Sequence, residues 1–470
     1  MILILNRRGP DIQQQLQSIE IVPNFYVTFA VSVLCLRGHT QMQPFIDENG
    51  NIFLWNGEIY NGIQVKPEEN DGEVLFNYLK QCTNLEQIRQ VFITLDGCYA
   101  FIYFQKQTNT FYYGRDPLGR RSLLSHSLSS INDNIRLIIS SVRLNLSESK
   151  TSLMYNELDA GIIYTCQVKS NQTFEFDELL FRTLTVKMDY PISDSISSLN
   201  DIVDSEQFQT VSETYYSLLR SAVECRVTNL PTLCRQCKRD YMKNELNYKV
   251  NLRLKNSCPH SKLAILFSGG LDSSVLAAIA DQFMPENEQI DLLNVAFYPD
   301  LSNKTTTVPP PDRQTGLQAL MELNTNRKWN FVQIDVDLNE LKCLRDEIIK
   351  DVIYPCSTVL DDSIGSALWF AARGIGWIDK QLYESTAEVL LSGLGADEQL
   401  AGYSRHRTTF RKSSWNGLKI ELEMEMERIA KRNLGRDDRV ISSLGKEVRF
   451  PFLDEKIVSY LQTVPVWLKV

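Results

Sequence analysis

Several things are scarce in this chain of 470 residues, and each scarcity excludes something. Positive charge is outnumbered: 49 Lys and Arg stand against 58 Asp and Glu, for a formal net charge of -9. That balance gives no electrostatic footprint for general nucleic-acid binding and none for an anionic membrane surface. No apolar stretch is long enough to span a bilayer, so no membrane partner is expected. Met1 to Leu5 is too short for a secretory core and runs straight into Asn6-Arg7-Arg8. Cysteine is a modest share, ten residues. Most lie in apolar runs, as at Cys35, Cys98 and Cys343, and read as buried thiols of a reducing, cytoplasmic compartment. Internal repeats are missing. Cys234-Arg235-Gln236-Cys237 is the one local spacing with a metal-binding look, flanked by Cys225 and Cys258-Pro259-His260. No second Cys-x-x-Cys or paired His completes it, so it reads as coincidental cysteines in an inserted segment rather than a zinc site.

What remains is ordinary for a folded protein, 43% apolar and 23% charged, and too long for one core. Two rhythms divide it. Residues 1–180 hold short β-type runs, among them Tyr26–Val31, Ile52–Trp55, Cys98–Phe104, Thr110–Gly114, Arg136–Ser141 and Gly161–Tyr164. One helix reads clearly between them, Asp71 to Cys82, with Val74, Leu75, Tyr78 and Leu79 at helical spacing. This predicts stacked antiparallel sheets with few helices. Residues 181–210 are polar and serine-rich, a linker. From 211 to 470, after an amphipathic helix over Ser212–Val227, strands alternate with helices: Asp291–Phe297, Trp329–Val336 and Glu388–Leu391 follow the first strand–loop–helix unit. That alternation predicts a doubly wound parallel sheet, making the whole chain a two-domain α/β and α+β protein. Ser302 to Gln314, with its run Pro309-Pro310-Pro311, is expected as a loop.

The most informative stretch is Ser268-Gly269-Gly270-Leu271-Asp272-Ser273-Ser274, between the apolar run Leu263–Phe267 and the alanine-rich run Val275–Ala280. Strand, glycine turn and helix aim backbone N–H groups and a helix's positive end at one point, where an anion can sit. The hydroxyls of Ser268, Ser273 and Ser274 add donors. Asp272 would repel a bare phosphate, so it makes sense with Mg²⁺ between them. The plainer alternative is a strand–turn–helix corner with Ser as cap. No Lys follows the glycines, which excludes the triphosphatase loop built on Gly-Lys-Ser/Thr. The loop is instead similar to that of ATP pyrophosphatases, which split ATP into an adenylate and pyrophosphate.

Further motifs follow the same order as in one family. Arg8-Gly9-Pro10-Asp11, Arg37, Asn56–Asn61 and Gly114-Arg115-Asp116-Pro117-Leu118-Gly119 resemble the N-terminal-nucleophile (Ntn-type) glutaminase half of class B asparagine synthetases. Ser268–Ser274, Ser392–Glu398, Gly402-Tyr403 and Arg449–Asp454 resemble its synthetase half. Val359–Gly365 and Gly435–Arg439 add details of the same kind. The resemblance implies a glutamine amidotransferase type 2-like domain followed by an ATP pyrophosphatase domain, with glutamine, aspartate and ATP as substrates. By that resemblance Asn56 and the Gly57 N–H are oxyanion donors, Arg37 pairs the glutamine carboxylate, and Glu58 and Asp71 hold its ammonium. Asn-Gly between apolar runs is also a strong hairpin-turn signal, which stands as the alternative for Asn56-Gly57. The resemblance places Leu266, Val295, Ser392 and Gly393 around adenosine, puts Ser268, Gly269, Gly270, Asp272, Ser273 and Ser274 on pyrophosphate, and lets Asp397 share Mg²⁺ with Asp272. The alternative for Asp397-Glu398 is a helix N-terminus dressed with acids.

The chain also departs from the family pattern. The family nucleophile is an N-terminal Cys, where Ile2 stands here, and only seven residues precede Arg8; the expectation is an N-terminally truncated chain or an inactive glutaminase. Leu394 takes the third position of Ser-Gly-x-Gly, where the family carries a Glu that acts in ammonia addition. Where the family has an Arg near its aspartate site, Ser363 stands beside Asp361 and Asp362, and two acids would repel aspartate's carboxylates. The family's C-terminal stretch, with a phosphate-contacting Lys, is not matched before Val470. The resulting expectation is an asparagine-synthesising ligase, impaired as written. The rival is a degenerate nucleotide-binding or interaction protein of the same fold.

Overall fold

A computed structural model describes residues 2–13, 17–39, 41–127, 137–144, 154–184, 188, 202–203, 205–245, 258, 260–299 and 309–470. The chain forms two compact units that are not contiguous in sequence. The first takes Met1–Thr183 with Asp346–Gly365 and Ile429–Lys446; the second takes Leu184–Arg345, Ser366–Arg428 and Glu447–Val470. Among the described residues no helix is long and apolar enough to cross a membrane.

The first unit is built on an antiparallel sheet. Its order is Phe174–Leu180, Ile162–Val168, Thr110–Arg115, Asp96–Gln105, Ile52–Asn61 and Phe45–Ile46. Strict alternation along the central strands gives both faces an apolar coat. Phe53, Trp55, Tyr99, Phe101 and Tyr103 pack against Leu75, Phe76, Leu79, Ile88 and Phe92 of two helices. Ile52, Ala100, Phe104 and Phe111 pack against Ile21, Val22 and Phe29, which belong to the hairpin Gln17–Val22/Phe25–Phe29. A smaller antiparallel sheet joins Leu124–Ser127 to Leu137–Ser140 and Asn156–Glu157.

The expected helix runs Asp71–Leu79, capped by Asn70, whose side chain accepts from the Glu73 N–H. A second helix, Leu85–Thr94, lies outside the expected elements. Asn84 caps it through the Gln87 N–H, and it buries Ile88 and Phe92 with Leu85, Val91 and Ile93 packed beside them; the spacing of Leu85, Ile88 and Phe92 is the sequence signal for it. Residues Ile2–Arg8 form a helix.

The second unit holds the parallel sheet. From one edge its order is Gln381–Glu384, Ile375–Ile378, Trp329–Asp337, Ile290–Tyr298, Leu263–Leu266, Val389–Leu391 and Glu447–Arg449. The last five are mutually parallel. The first two form an antiparallel hairpin, so the sheet is mixed rather than purely parallel. Leu263–Leu266 is paired on one side with the next strand in sequence and on the other with a strand more than a hundred residues later. That reversal is a topological switch point, and in open α/β sheets such a point is where a ligand crevice lies, outside the carboxyl ends of the strands. The amphipathic helix begins earlier than read, at Glu206 after the Ser205 cap, and buries Leu219, Ala222, Val223 and Val227. Most of the expected linker, at 185–187, 189–201 and 204, lies outside the described residues, as does 302–308 of the expected proline loop. The loop's end is corrected: Pro311 to Gln314 form the first turn of the helix Pro311–Leu320, because proline at the first helical position lacks only an N–H that would be unpaired anyway. Cys98 is buried as expected, whereas Cys343 is exposed.

Candidate functional site

In the second unit the glycine loop follows the carboxyl end of Leu263–Leu266 and leads into the helix Leu271–Phe283. Gly269 has a positive φ of 82°, and a Cβ there would lie 2.5 Å from the Thr315 and Gly316 backbone. Glycine is therefore required twice over, for conformation and for close approach. Gly270 caps the helix, and its N–H donates to Ser268 Oγ at 3.2 Å. The hydroxyls of Ser273 and Ser274 both donate to Gly270 O, at 3.0 and 2.9 Å. Their hydrogens are thus turned back onto the loop, and the outward donors are the backbone N–H groups of the first helical turn. Ser268 and Gly270 are exposed, and Leu266 and Val295 half-buried, as befits the rim of a crevice.

The second wall comes from the neighbouring strand end. Ser392 follows Val389–Leu391, and its N–H donates to Arg449 O at 3.0 Å. A Cβ on Gly393 would meet the Asp272 Cβ at 3.1 Å, so the two strand ends close directly on one another. The chain then turns through Gly395, at φ 101° against Leu453, into the short helix Ala396–Leu400. Gly395 N–H donates to Glu398 Oε2 at 2.9 Å, and the Tyr403 hydroxyl donates to Glu398 Oε1 at 2.5 Å. Glu398 is therefore spent on holding the turn, which leaves Asp397 as the acid of this wall. Gly402 leaves room for it, since a Cβ there would collide with Asp397 Oδ1. The Arg449–Asp454 motif serves as support: Arg449 Nη1 donates to Arg226 O at 2.6 Å, and Asp454 pairs with Arg226 at 2.9 Å.

Electrostatically the crevice is under strain of one sign. Burial pushes the Asp272 carboxyl up to about 6, and the nearby charges of Asp397 and Glu398 add to this. Burial also raises Asp397, with Arg405 opposing. The Tyr215 hydroxyl is raised by burial and by Asp272. Tyr215, on the helix Glu206–Val227, thus adjoins the site, and no local motif marked it. Two half-buried carboxylates that repel one another are a donor set of hard oxygens suited to a divalent cation.

In the first unit Asn56 and Gly57 sit in the middle of the strand Ile52–Asn61, opposite Ala100 and Tyr99. The hairpin-turn alternative is thereby overturned: the strand partner is Asp96–Gln105, a long-range pairing that outweighs the local Asn-Gly turn preference. Gly57 is needed because a Cβ would fall 2.4 Å from Cys98 O. Asn56 and Gly57 are half-buried between the buried Trp55 and Glu58. Arg37 donates to Ile59 O at 2.7 Å and Val65 O at 3.2 Å, and stands 4.0 Å from Glu58. Its Nε is buried with no hydrogen-bond partner among the described residues. Asp71 accepts from the N–H groups of Ile59 and Gly72, at 3.0 and 2.8 Å. Arg37, Glu58 and Asp71 are thus tied to one strand end around Ile59.

The Gly114–Gly119 motif is scaffold. Asp116 is fully buried and accepts from the N–H groups of Leu118 and Arg120 at 3.0 and 2.8 Å and from Arg120 Nε at 2.9 Å. One expectation is corrected here. By sequence alone Asp361 is an uncompensated acid that would repel aspartate. Its carboxylate instead accepts from Arg436 at 2.9 Å and from the Thr358 hydroxyl at 2.6 Å, and its pKa is lowered: these partners outweigh its burial. A guanidinium 75 residues away in sequence neutralises it.

With this geometry in place, comparison with known proteins is informative. Residues 244–420 match the asparagine synthase family, and residues 31–141 match a glutamine amidotransferase domain. Asparagine synthetase domain-containing protein 1 of Bos taurus is 38% identical over 99% of this chain and 85% of its own. The protein of the same name in Homo sapiens is 37% identical over 99% and 84%. A putative glutamine-hydrolysing asparagine synthetase of Methanocaldococcus jannaschii is 24% identical over 94% and 70%.

Proposed function

The chain belongs to the asparagine synthetase domain-containing protein family, and on that premise we propose that its second unit binds Mg·ATP in the crevice between Ser268–Ser274 and Ser392–Asp397. The reaction of this reading is adenylation of a carboxylate acceptor, aspartate in the family, followed by attack of ammonia; Arg37, Glu58 and Asp71 would hold glutamine. The observation that carries it is the meeting of two like-charged, half-buried carboxylates, Asp272 and Asp397, beside a helix N-terminus at a topological switch point. Leu266, Val295, Ser392 and Gly393 would flank the adenosine, and the N–H groups of the first turn after Gly270 would hold phosphate oxygens. Asp272 and Asp397 would hold Mg²⁺, which when bound would offset the charge gathering on departing pyrophosphate. In the first unit the Arg37 guanidinium, already fixed by two carbonyls, keeps Nε for a carboxylate oxygen. Asn56 and the Gly57 N–H would face a developing oxyanion.

Calorimetry tests the nucleotide site. Wild type should bind ATP in a Mg²⁺-dependent manner, and Asp272→Ala should bind about tenfold or more weakly, the scale of one lost charge-assisted contact. Equal affinities would remove the assignment.

Leu394 favours a second reading, in which nucleotide binding outlives synthesis. It is half-buried, its N–H donates to Ser392 Oγ at 3.3 Å, and its side chain cannot move a proton. General acid–base groups contribute about a hundred- to ten-thousandfold in rate, so ammonia-dependent asparagine synthesis should be absent or very slow and should rise in Leu394→Glu. Efficient synthesis by the unmodified chain would refute this reading.

A further inference from the structure

We propose that Cys234, Cys237, Cys258 and His260 bind one structural Zn²⁺ at the end of the second unit's sheet opposite the nucleotide crevice. The four ligand atoms all lie within 4.8 Å of one another. Cys234 Sγ is 3.5 Å from His260 Nδ1, Cys237 Sγ is 3.4 Å from it and Cys258 Sγ 3.7 Å. Cys237 Sγ and Cys258 Sγ are 3.5 Å apart. A tetrahedral zinc with bonds of about 2.3 Å to sulfur and about 2.1 Å to nitrogen sets neighbouring ligand atoms roughly 3.6–3.8 Å apart. The observed spacings match that figure. They do not match a disulfide, whose sulfurs lie about 2.05 Å apart.

The local backbone suits thiolates, against the burial that raises the Cys234 and Cys237 thiols. Cys234 is buried and immediately precedes the helix Arg235–Glu245, and Cys237 lies in its first turn. Helix N-termini stabilise thiolate. The Cys237 N–H also points at Cys234 Sγ, 3.4 Å away, as a backbone donor does to a metal-bound sulfur. Three sulfurs and one imidazole complete a tetrahedron and keep no position for substrate, which marks a structural rather than a catalytic site. Soft sulfur ligands in that geometry select zinc over magnesium or calcium.

The place in the fold says what the ion would do. Arg235 N–H donates to Thr386 O at 3.2 Å, and the Thr386 hydroxyl donates to Ser261 O at 2.8 Å. Lys238 pairs with Glu388 at 2.5 Å. Ser261 and Glu388 stand just before the strands Leu263–Leu266 and Val389–Leu391. These are the two strands whose other ends carry Asp272 and Asp397. The ion would clasp the helix Arg235–Glu245 to the amino ends of the pair that forms the switch point. Cys225, which also flanks the motif in sequence, is not in the cluster.

The test is metal analysis of the full chain expressed with zinc in the medium. Wild type and Cys225→Ser should each carry about one zinc per chain, and Cys237→Ser far less, as expected of a closed four-ligand site. Replacing zinc with Co²⁺ should give the visible bands of a tetrahedral ion and strong sulfur-to-cobalt charge transfer. Should Cys237→Ser fail to fold, His260→Cys keeps four ligands and should still bind one ion, with stronger charge transfer from a fourth thiolate. A folded wild type without zinc that takes up no tetrahedral Co²⁺ would overturn the proposal. So would equal zinc in wild type and Cys237→Ser.

Discussion

Two groups of acids, one in each unit, are buried in opposite ways. In the first, each buried carboxylate of the Glu157, Asp361 and Asp438 group meets arginine. Asp438 pairs with Arg8 and Arg121, both at 3.2 Å. Glu157 pairs with Arg115 at 2.9 Å and also with Arg439, and Asp361 with Arg436 at 2.9 Å. In the crevice of the second, Asp272 and Asp397 are half-buried; Asp272 faces the charges of Asp397 and Glu398, and Arg405 offsets the burial of Asp397 only in part. Burial alone does not tell function from scaffold; the sign of the neighbours does. Paired acids hold segments together that are hundreds of residues apart, as Arg8 and Asp438 do. Unrelieved acids lower stability, and are kept where a ligand supplies the missing positive charge.

The contrast has measurable consequences. The largest concerns the paired side. Asp438→Ala leaves the Arg8 and Arg121 guanidinium groups buried without their acid, and should cost about 3–5 kcal/mol in urea unfolding. Burial raises the Asp438 carboxyl, but Arg8 and Arg121 outweigh it and hold it below its ordinary 3.8. A depressed folded pKa contributes stability that is present above the unfolded value and lost as pH falls through the folded one. Acid should therefore weaken wild type relative to Asp438→Ala below pH 3.8. A loss under about 1 kcal/mol, the range of exposed pairs, would show that the pairing is incidental.

A smaller effect of opposite sign is expected from the crevice. With its folded pKa raised from 3.8 to about 6, Asp272 makes the bare protein lose stability as pH rises through that window. Asp272→Asn should be more stable than wild type above pH 6, by on the order of 1 kcal/mol once solvent screening of a partly exposed group is allowed for. The two should converge at pH 4. A destabilised Asp272→Asn at pH 8 would mean that the carboxylate is structurally paired after all.

The same comparison explains what was legible in the sequence. Ser268–Ser274 could be read because strand, turn and helix follow one another directly and the positive φ at Gly269 is a local requirement, whereas the approach of Thr315 and Gly316 is not. The central strands were legible for the same reason, through the continuous aromatic-rich apolar runs Ile52–Trp55 and Cys98–Phe104. Charge partners were not. Asp361 looked uncompensated because Arg436 is 75 residues away, and Tyr215 carries no motif that points to Asp272. Asn56-Gly57 was ambiguous because turn preference is local, whereas the strand opposite lies some forty residues on. Cys258 and His260 come more than twenty residues after Cys237, so the spacing looked incomplete until the fold closed it. The serine hydroxyls show a finer limit: composition shows that donors exist, but only the loop's geometry shows them turned onto Gly270 O.

The most direct test of the central claim is thermal melting at pH 7.5, with and without saturating Mg·ATP, for wild type and Asp272→Asn. A ligand at a hundred times its Kd stabilises the folded state by about 2.7 kcal/mol. Wild type should gain a shift of that order that vanishes when Mg²⁺ is chelated. Asp272→Asn should start from the higher melting temperature and gain little from Mg·ATP. An equal gain in both proteins, or none in wild type, would contradict the reading of this crevice as a Mg·ATP site.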